Sequence, residues 1–110
     1  MGVVIKRFDI WLVSLDPTLG SEIQKTRPCV IISPNEMNLL RTVIVAPLTS
    51  KGFDFPMRVK INFDNKEGLI LLDQIRSVDK QRLVKKVGTI ESKIAEDICL
   101  KLQEIFEYER

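Results

Sequence analysis

The period of the apolar positions changes once along the chain. Up to about residue 90 the apolar residues come in short β-branched or aromatic runs, broken by Pro, Gly, Asp and Ser; beyond that they fall at helical spacing. Arg7–Asp16 (RFDIWLVSLD) reads as a first strand that stops at the turn signal Asp16-Pro17. Residues 17–26 are polar, contain Gly20 and read as an exposed loop. Arg27–Ser33 and Thr42–Leu48 are nearly all apolar and read as strands buried on both faces, with room for one helical turn in residues 34–40 between them. A second exposed loop covers residues 49–54. Met57, Val59, Ile61 and Phe63 then alternate with Arg58, Lys60, Asn62 and Asp64, a period of two with one wet face. Gly68–Leu72 starts a fifth strand that runs into the polar stretch Asp73–Asp79, and Leu83–Ile90 is a sixth. Ile94, Ile98, Leu102, Ile105 and Phe106 share one face of a closing helix. The expected fold is mainly β with a C-terminal helix (α+β): a partly open barrel with the helix packed against it. The 110 residues fit one domain spanning 1–110, without repeats or linkers.

Composition adds little to this picture, but charge is uneven. Of seventeen bases and fifteen acids, the last twenty residues hold three and six, leaving fourteen bases against nine acids in residues 1–90. That permits a polyanionic partner without requiring one. No apolar run approaches the roughly 18 residues of a membrane span, and Met1–Arg7 lacks the apolar core of a signal peptide, so the expected address is the cytoplasm. Cys29 and Cys99 lie far apart in apolar patterns and read as small buried hydrophobes rather than a disulfide or a metal pair.

The absence of histidine changes the picture most. It removes the commonest general base and metal ligand, and any Ser–His or Cys–His nucleophile pair. The carboxylates are scattered without metal-ligand spacing, and there is no P-loop or dinucleotide fingerprint. Neither a metal nor an organic cofactor is expected. Any catalysis must run on Arg, Thr, Ser, Lys and carboxylates. Three polar stretches each interrupt or end an apolar strand: Gly20–Pro28, Pro47–Gly52 and Leu72–Asp79. Strand ends are where a rigid barrel presents functional side chains, so Arg27, Thr49, Asp73 and Arg76 could converge on one rim. The plainer alternatives are a surface charge at Arg27, turn hydroxyls at Thr49-Ser50, and an ion pair between Asp73 and Arg76.

The run Asp9-Ile10-Trp11, then Leu15-Asp16-Pro17-Thr18, Gly20-Ser21-Glu22, Lys25-Thr26-Arg27-Pro28, Pro47-Leu48-Thr49-Ser50-Lys51-Gly52 and Leu72–Asp79 (LDQIRSVD) resembles the MazF/PemK toxins in order and spacing, and Gly88 before the helix also fits. The resemblance implies an SH3-like barrel of the MazF/PemK/CcdB kind, a homodimer, and an acidic antitoxin partner. It implies a sequence-selective endoribonuclease, an mRNA interferase, that leaves a 2′,3′-cyclic phosphate or 3′-phosphate and a 5′-hydroxyl. By the same resemblance Arg27 and Thr49 match the catalytic positions, and Glu22 and Asp73 match the loop glutamate and the DQ-motif aspartate. One branch of the family carries a histidine and an arginine where this chain has Ser21 and Leu71, so that branch's acid–base roles do not carry over.

No metal is needed for such chemistry, because RNA supplies its own nucleophile, the 2′-hydroxyl. Arg27 can clamp the scissile phosphate, Thr49 can hold a second phosphate oxygen, and either Glu22 or Asp73 can take the 2′-hydroxyl proton. Lys25, Thr26, Ser50 and Arg76 are expected to contact the RNA, while Phe53, Phe55 and Gln74 are candidates for stacking on or bonding to splayed bases. No direct contact with DNA or membrane is expected. A competing expectation is a CcdB-like toxin that binds a protein target such as gyrase without catalysis; another is an inactive barrel.

Overall fold

Seven strands, rather than six, form in the order of the chain, and the computed structural model describes residues 4–109 of it. They are β1 (Asp9–Ser14), β2 (Thr26–Ile31), β3 (Thr42–Thr49), β4 (Arg58–Phe63), β5 (Lys66–Leu71), β6 (Arg76–Asp79) and β7 (Leu83–Thr89), followed by helix α1 (Ser92–Ile105). Short 3₁₀ turns occupy Asn35–Leu39, where a helical turn was expected, and also Leu72–Gln74 and Lys80–Arg82. The Met1–Arg7 reading lies partly outside the described residues. The strand that sequence reading missed is β6. Its stretch is polar and only Val78 is buried, so no apolar alternation announces it. It forms because Arg76–Asp79 pair antiparallel with Val45–Thr42 of β3.

All pairings are antiparallel and run β4-β5-β3-β2-β1-β7, with β6 also on β3. β3 is the hinge of this arrangement. It pairs with β6 over Thr42–Val45 and with β5 at Leu48-Thr49. Pro47, which has no N–H to give, falls in the gap between those two partners. The sheet curls into a partly open barrel, as expected from the mainly β pattern and the terminal helix.

Strand alternation sorts the apolar residues onto two faces. Ile10, Val30, Ile32, Ala46, Leu48, Ile70 and Leu72 pack on one side with Ile98 and Ala95 of α1. Trp11, Val13, Leu15, Cys29, Ile31, Val43, Val45 and Val78 pack on the other. Fully burying each of the larger aliphatic chains contributes roughly 1.5–3 kcal/mol. The helix begins at Glu91 without a side-chain cap, so its stability comes from this apolar stripe rather than from its ends. Ile98 is fully buried, as the spacing implied, but Phe106 is not part of the stripe: the helix ends at Ile105 and Phe106 is 69% exposed.

The cysteines also differ from expectation in one respect. Cys29 is buried, whereas Cys99 is half-buried with the Arg7 Nη2 group 3.5 Å from its sulfur. Burial pushes the Cys29 thiol up to about 12, although nearby Arg76 pulls the other way. The folded state therefore keeps its proton where the unfolded chain, with an ordinary value of 9.0, has released it. This group's contribution to stability is fully present below about 9 and is lost as pH rises towards about 12. Urea titrations at pH 7 and 10 are expected to show a larger alkaline loss for the native protein than for Cys29→Ala; equal losses would contradict the assignment.

Candidate active site

Arg27 is the second residue of β2, where the strand emerges from the β1–β2 loop. The loop is held by polar clips rather than by apolar packing. Asp16 Oδ1 accepts from the Lys25 amide (3.0 Å) and the Thr18 hydroxyl (3.3 Å), and the Leu15 amide donates to the Lys25 carbonyl at 2.9 Å. These bonds hold Lys25 at φ 70°, a left-handed conformation that a lysine rarely adopts alone. Glu22 Oε1 accepts from the Leu19 amide, which leaves its second oxygen free. Glu22, Lys25, Thr26 and Arg27 are all exposed. Arg27 Nε donates to the Gln24 carbonyl at 3.1 Å, and its two Nη groups have no partner among the described residues.

Thr49 ends β3. The β2–β3 pairing ends at Cys29 and Pro47, and Arg27 and Thr49 stand two residues beyond it on their strands. The Thr49 Oγ1 atom accepts from the Lys51 amide at 3.1 Å, so its hydroxyl proton is free to donate to a ligand. Arg27, Thr49 and Ser50 line one cavity of about 200 Å³, whose far wall is the β4–β5 hairpin: Phe63, Asp64, Lys66, Glu67 and Gly68. Gly68 makes the fit possible, because a Cβ there would lie 2.8 Å from the Thr49 carbonyl oxygen. None of the hairpin residues was among the sequence candidates. A glycine inside a strand, which often marks close backbone approach, was the one available signal.

Asp73 is paired, but not with Arg76. Arg58 of β4 donates from Nε and Nη2 to its two oxygens, each at 3.1 Å. Those hydrogen bonds raise the Arg58 pKa further, against a smaller opposing effect of burial. The same guanidinium donates to the Phe53 carbonyl at 3.3 Å and lies 4.9 Å above the Phe53 ring. Arg58 thus ties the Asp73 turn to the loop that follows Thr49. Sequence reading placed it only on the wet face of a strand.

Arg76 turns elsewhere: its Nη1 donates to the Leu15 carbonyl at 3.1 Å, and Arg82 donates to the neighbouring Ser14 carbonyl at 3.0 Å. These two arginines brace the end of β1. Gln74 Oε1 accepts from the Ile23 amide at 2.9 Å, fixing the loop beside Glu22 and leaving its NH₂ available. Phe53 and Phe55 are 68% and 47% exposed, with ring centroids 6.2 Å apart at 81°, so both present ring surface to solvent. No group of three Cys, Asp or Glu side chains that could hold a metal ion occurs among the described residues. No helix there is long and apolar enough to cross a membrane.

A curled antiparallel sheet with one closing helix and an Arg–Thr pair across a strand-end cavity defines a class, and comparison with known proteins places the chain in it. Residues 6–106 match the family of PemK-like, MazF-like toxins of type II toxin–antitoxin systems. The chain belongs to that family. It is 32% identical to the endoribonuclease toxin ChpB of Escherichia coli over 93% of this chain and 94% of that one. It is 40% identical to the endoribonuclease MazF of Staphylococcus epidermidis over 84% of each. The fold also matches solved structures at low identity. MazF from Deinococcus radiodurans superposes with a TM-score of 0.85 at 20% identity, covering 97% of this chain and 100% of that one. A mycobacterial endoribonuclease in complex with its cognate antitoxin gives 0.80 at 18%, covering 97% and 99%.

Proposed function

We propose that this toxin is an endoribonuclease that cuts single-stranded RNA by attack of the RNA's own 2′-hydroxyl, without a metal ion. The observation that carries this reading is one cavity lined both by Arg27, whose Nη groups have no partner among the described residues, and by Thr49, whose hydroxyl proton is free to donate. A phosphate there is gripped by a fixed positive fork and a hydroxyl donor, and both bonds strengthen as charge builds on the equatorial oxygens. The 2′-hydroxyl loses its proton, its oxygen bonds to phosphorus, and the bond to the 5′-oxygen breaks. The 5′-oxygen takes a proton from solvent or from the Lys66 ammonium on the cavity wall. The products are a 2′,3′-cyclic phosphate, which water can open to a 3′-phosphate, and a 5′-hydroxyl.

Both Asp73 oxygens are held by Arg58. That leaves Glu22, with one oxygen free, and Glu67, on the cavity wall, as proton acceptors. Lys25, Thr26 and Ser50 guide the strand at the rim. Phe53 and Phe55 offer stacking surface, and the Gln74 NH₂ offers a donor. Arg76, braced on β1, shapes the loop rather than meeting RNA.

The chain acts as one domain, in the cytoplasm, as a homodimer whose paired rims form a longer groove. Its inhibitor is an antitoxin whose acidic extended segment occupies that groove; relatives of the same fold are known in complex with antitoxins. A purely binding toxin of the CcdB kind would not need the Arg27–Thr49 cavity. The test is end mapping of a long RNA cut by the purified protein in EDTA. Cleavage is expected to persist, with cyclic-phosphate and 5′-hydroxyl ends. A strict Mg²⁺ requirement or 5′-phosphate ends would refute the chemistry, and no cleavage at all would favour the binding toxin.

A further inference from the structure

A sheet that curls without closing has a seam, and here it lies between the two strands at the ends of the pairing order, β4 and β7. Phe63 of β4 reaches across to Gly88 of β7, where a Cβ would lie 3.1 Å from the ring. Beside that contact the seam opens into a cavity of about 800 Å³. Ile10, Phe63 and Ile90 are among its apolar lining, and Thr89 and Asn62, the latter on the face of β4 opposite Phe63, are among its polar lining. The outer edge of β4 has no strand partner among the described residues, so its backbone donors and acceptors are available there as well.

This cavity is continuous with the one between Arg27 and Thr49: Thr49, Ser50 and Gly68 line both. Its charges say what it does not hold. Lys51 and Lys60 are outnumbered by Asp54, Glu67 and Glu91, and Lys60 is already paired with Asp54 at 3.3 Å. A phosphate is poorly served there. A flat uncharged ring with a polar edge is better served, because the cavity offers apolar lining on one side of β4 and an amide on the other. Asn62 carries such an amide, exposed and without a side-chain hydrogen bond among the described residues.

We propose that the β4–β7 seam is the subsite for the nucleobase next to the cut, read by Asn62 with Thr89, an inference that rests on the RNA-cutting reading above. An amide offers a donor beside an acceptor, so it selects a base that presents the complementary pair. The seam therefore sets one position of the recognition sequence.

The experiment is cleavage of a randomised RNA pool by the native protein, Asn62→Ala and Asn62→Asp, with the base frequencies around each cut counted. Asn62→Ala is expected to reduce the preference at one position adjacent to the cut by roughly tenfold to a hundredfold, the worth of one good base contact. Asn62→Asp, nearly the same shape but accepting only, is expected to move that preference towards cytosine, whose N4 donates. A selective native protein whose preferences are unchanged in both variants would overturn the subsite. So would a uniform loss of rate with the same preferences, which marks a structural role. A native protein that cuts no RNA would instead overturn the underlying reading and the subsite with it.

Discussion

Replacing Arg27 or Thr49 by alanine is expected to lower RNA cleavage by about 10²–10³-fold each, the usual cost of removing one donor to a transition-state oxyanion. Both side chains are outside the two buried clusters, and each makes a single local hydrogen bond. Circular dichroism and melting are therefore expected to stay close to those of the native protein. Arg27→Lys separates charge from shape: it keeps the cation but loses the planar fork, and is expected to recover only part of the rate. The measurement is single-turnover cleavage of one defined RNA. Turnover within a few-fold of native for Arg27→Ala and Thr49→Ala, with unchanged spectra, would remove them from the mechanism.

Gly68→Ala is expected to act on the same cavity from behind. The added Cβ would meet the Thr49 carbonyl oxygen at 2.8 Å, and the obstacle is backbone, so β5 and the end of β3 must separate. Forcing extra volume into a close contact of this kind typically costs about 1–3 kcal/mol. Moving Thr49 by about an ångström can lower catalysis by as much as 10². The variant is thus expected to lose both stability, read by urea denaturation, and cleavage rate measured well below its melting range. A stable, fully active Gly68→Ala would mean that the contact is not what places Thr49.

How much of this was legible beforehand depended on whether a feature is local. The alternation at Met57–Phe63 and the stripe through Ile94, Ile98 and Leu102 gave β4 and α1, because period alone settles which face is buried. β6 escaped, since a strand made by pairing with Thr42–Val45 needs no apolar signal of its own. Arg27 and Thr49 were picked out separately by their places at strand ends and by family resemblance. That they line one cavity depends on how β2 pairs with β3, which nothing local to either residue encodes. Arg58 was hidden for the same reason. On a strand pattern it is one more exposed cation, and only the fold brings the Asp73 turn against it. The hairpin wall and the seam are products of curling, a property of the whole sheet.

The bracing of β1 by Arg76 and Arg82 bears on how this protein meets a polyanion. Arg7 is likewise committed to the Ile32 carbonyl, Lys80 to that of Asn38, Arg58 to Asp73 and Lys86 to Asp9. These side chains keep their charge, but each is held in a fixed place by its carbonyl or carboxylate partner. With a formal net charge of only +2, the chain is expected to displace few condensed counterions when a strand settles onto it, so little of its affinity comes from the entropy of their release. A nuclease that works as proposed holds RNA through bases and one well-gripped phosphate. Such a nuclease would have little means of lingering on nucleic acid for charge alone, and any discrimination among sequences would not be diluted by a strong attraction common to all of them.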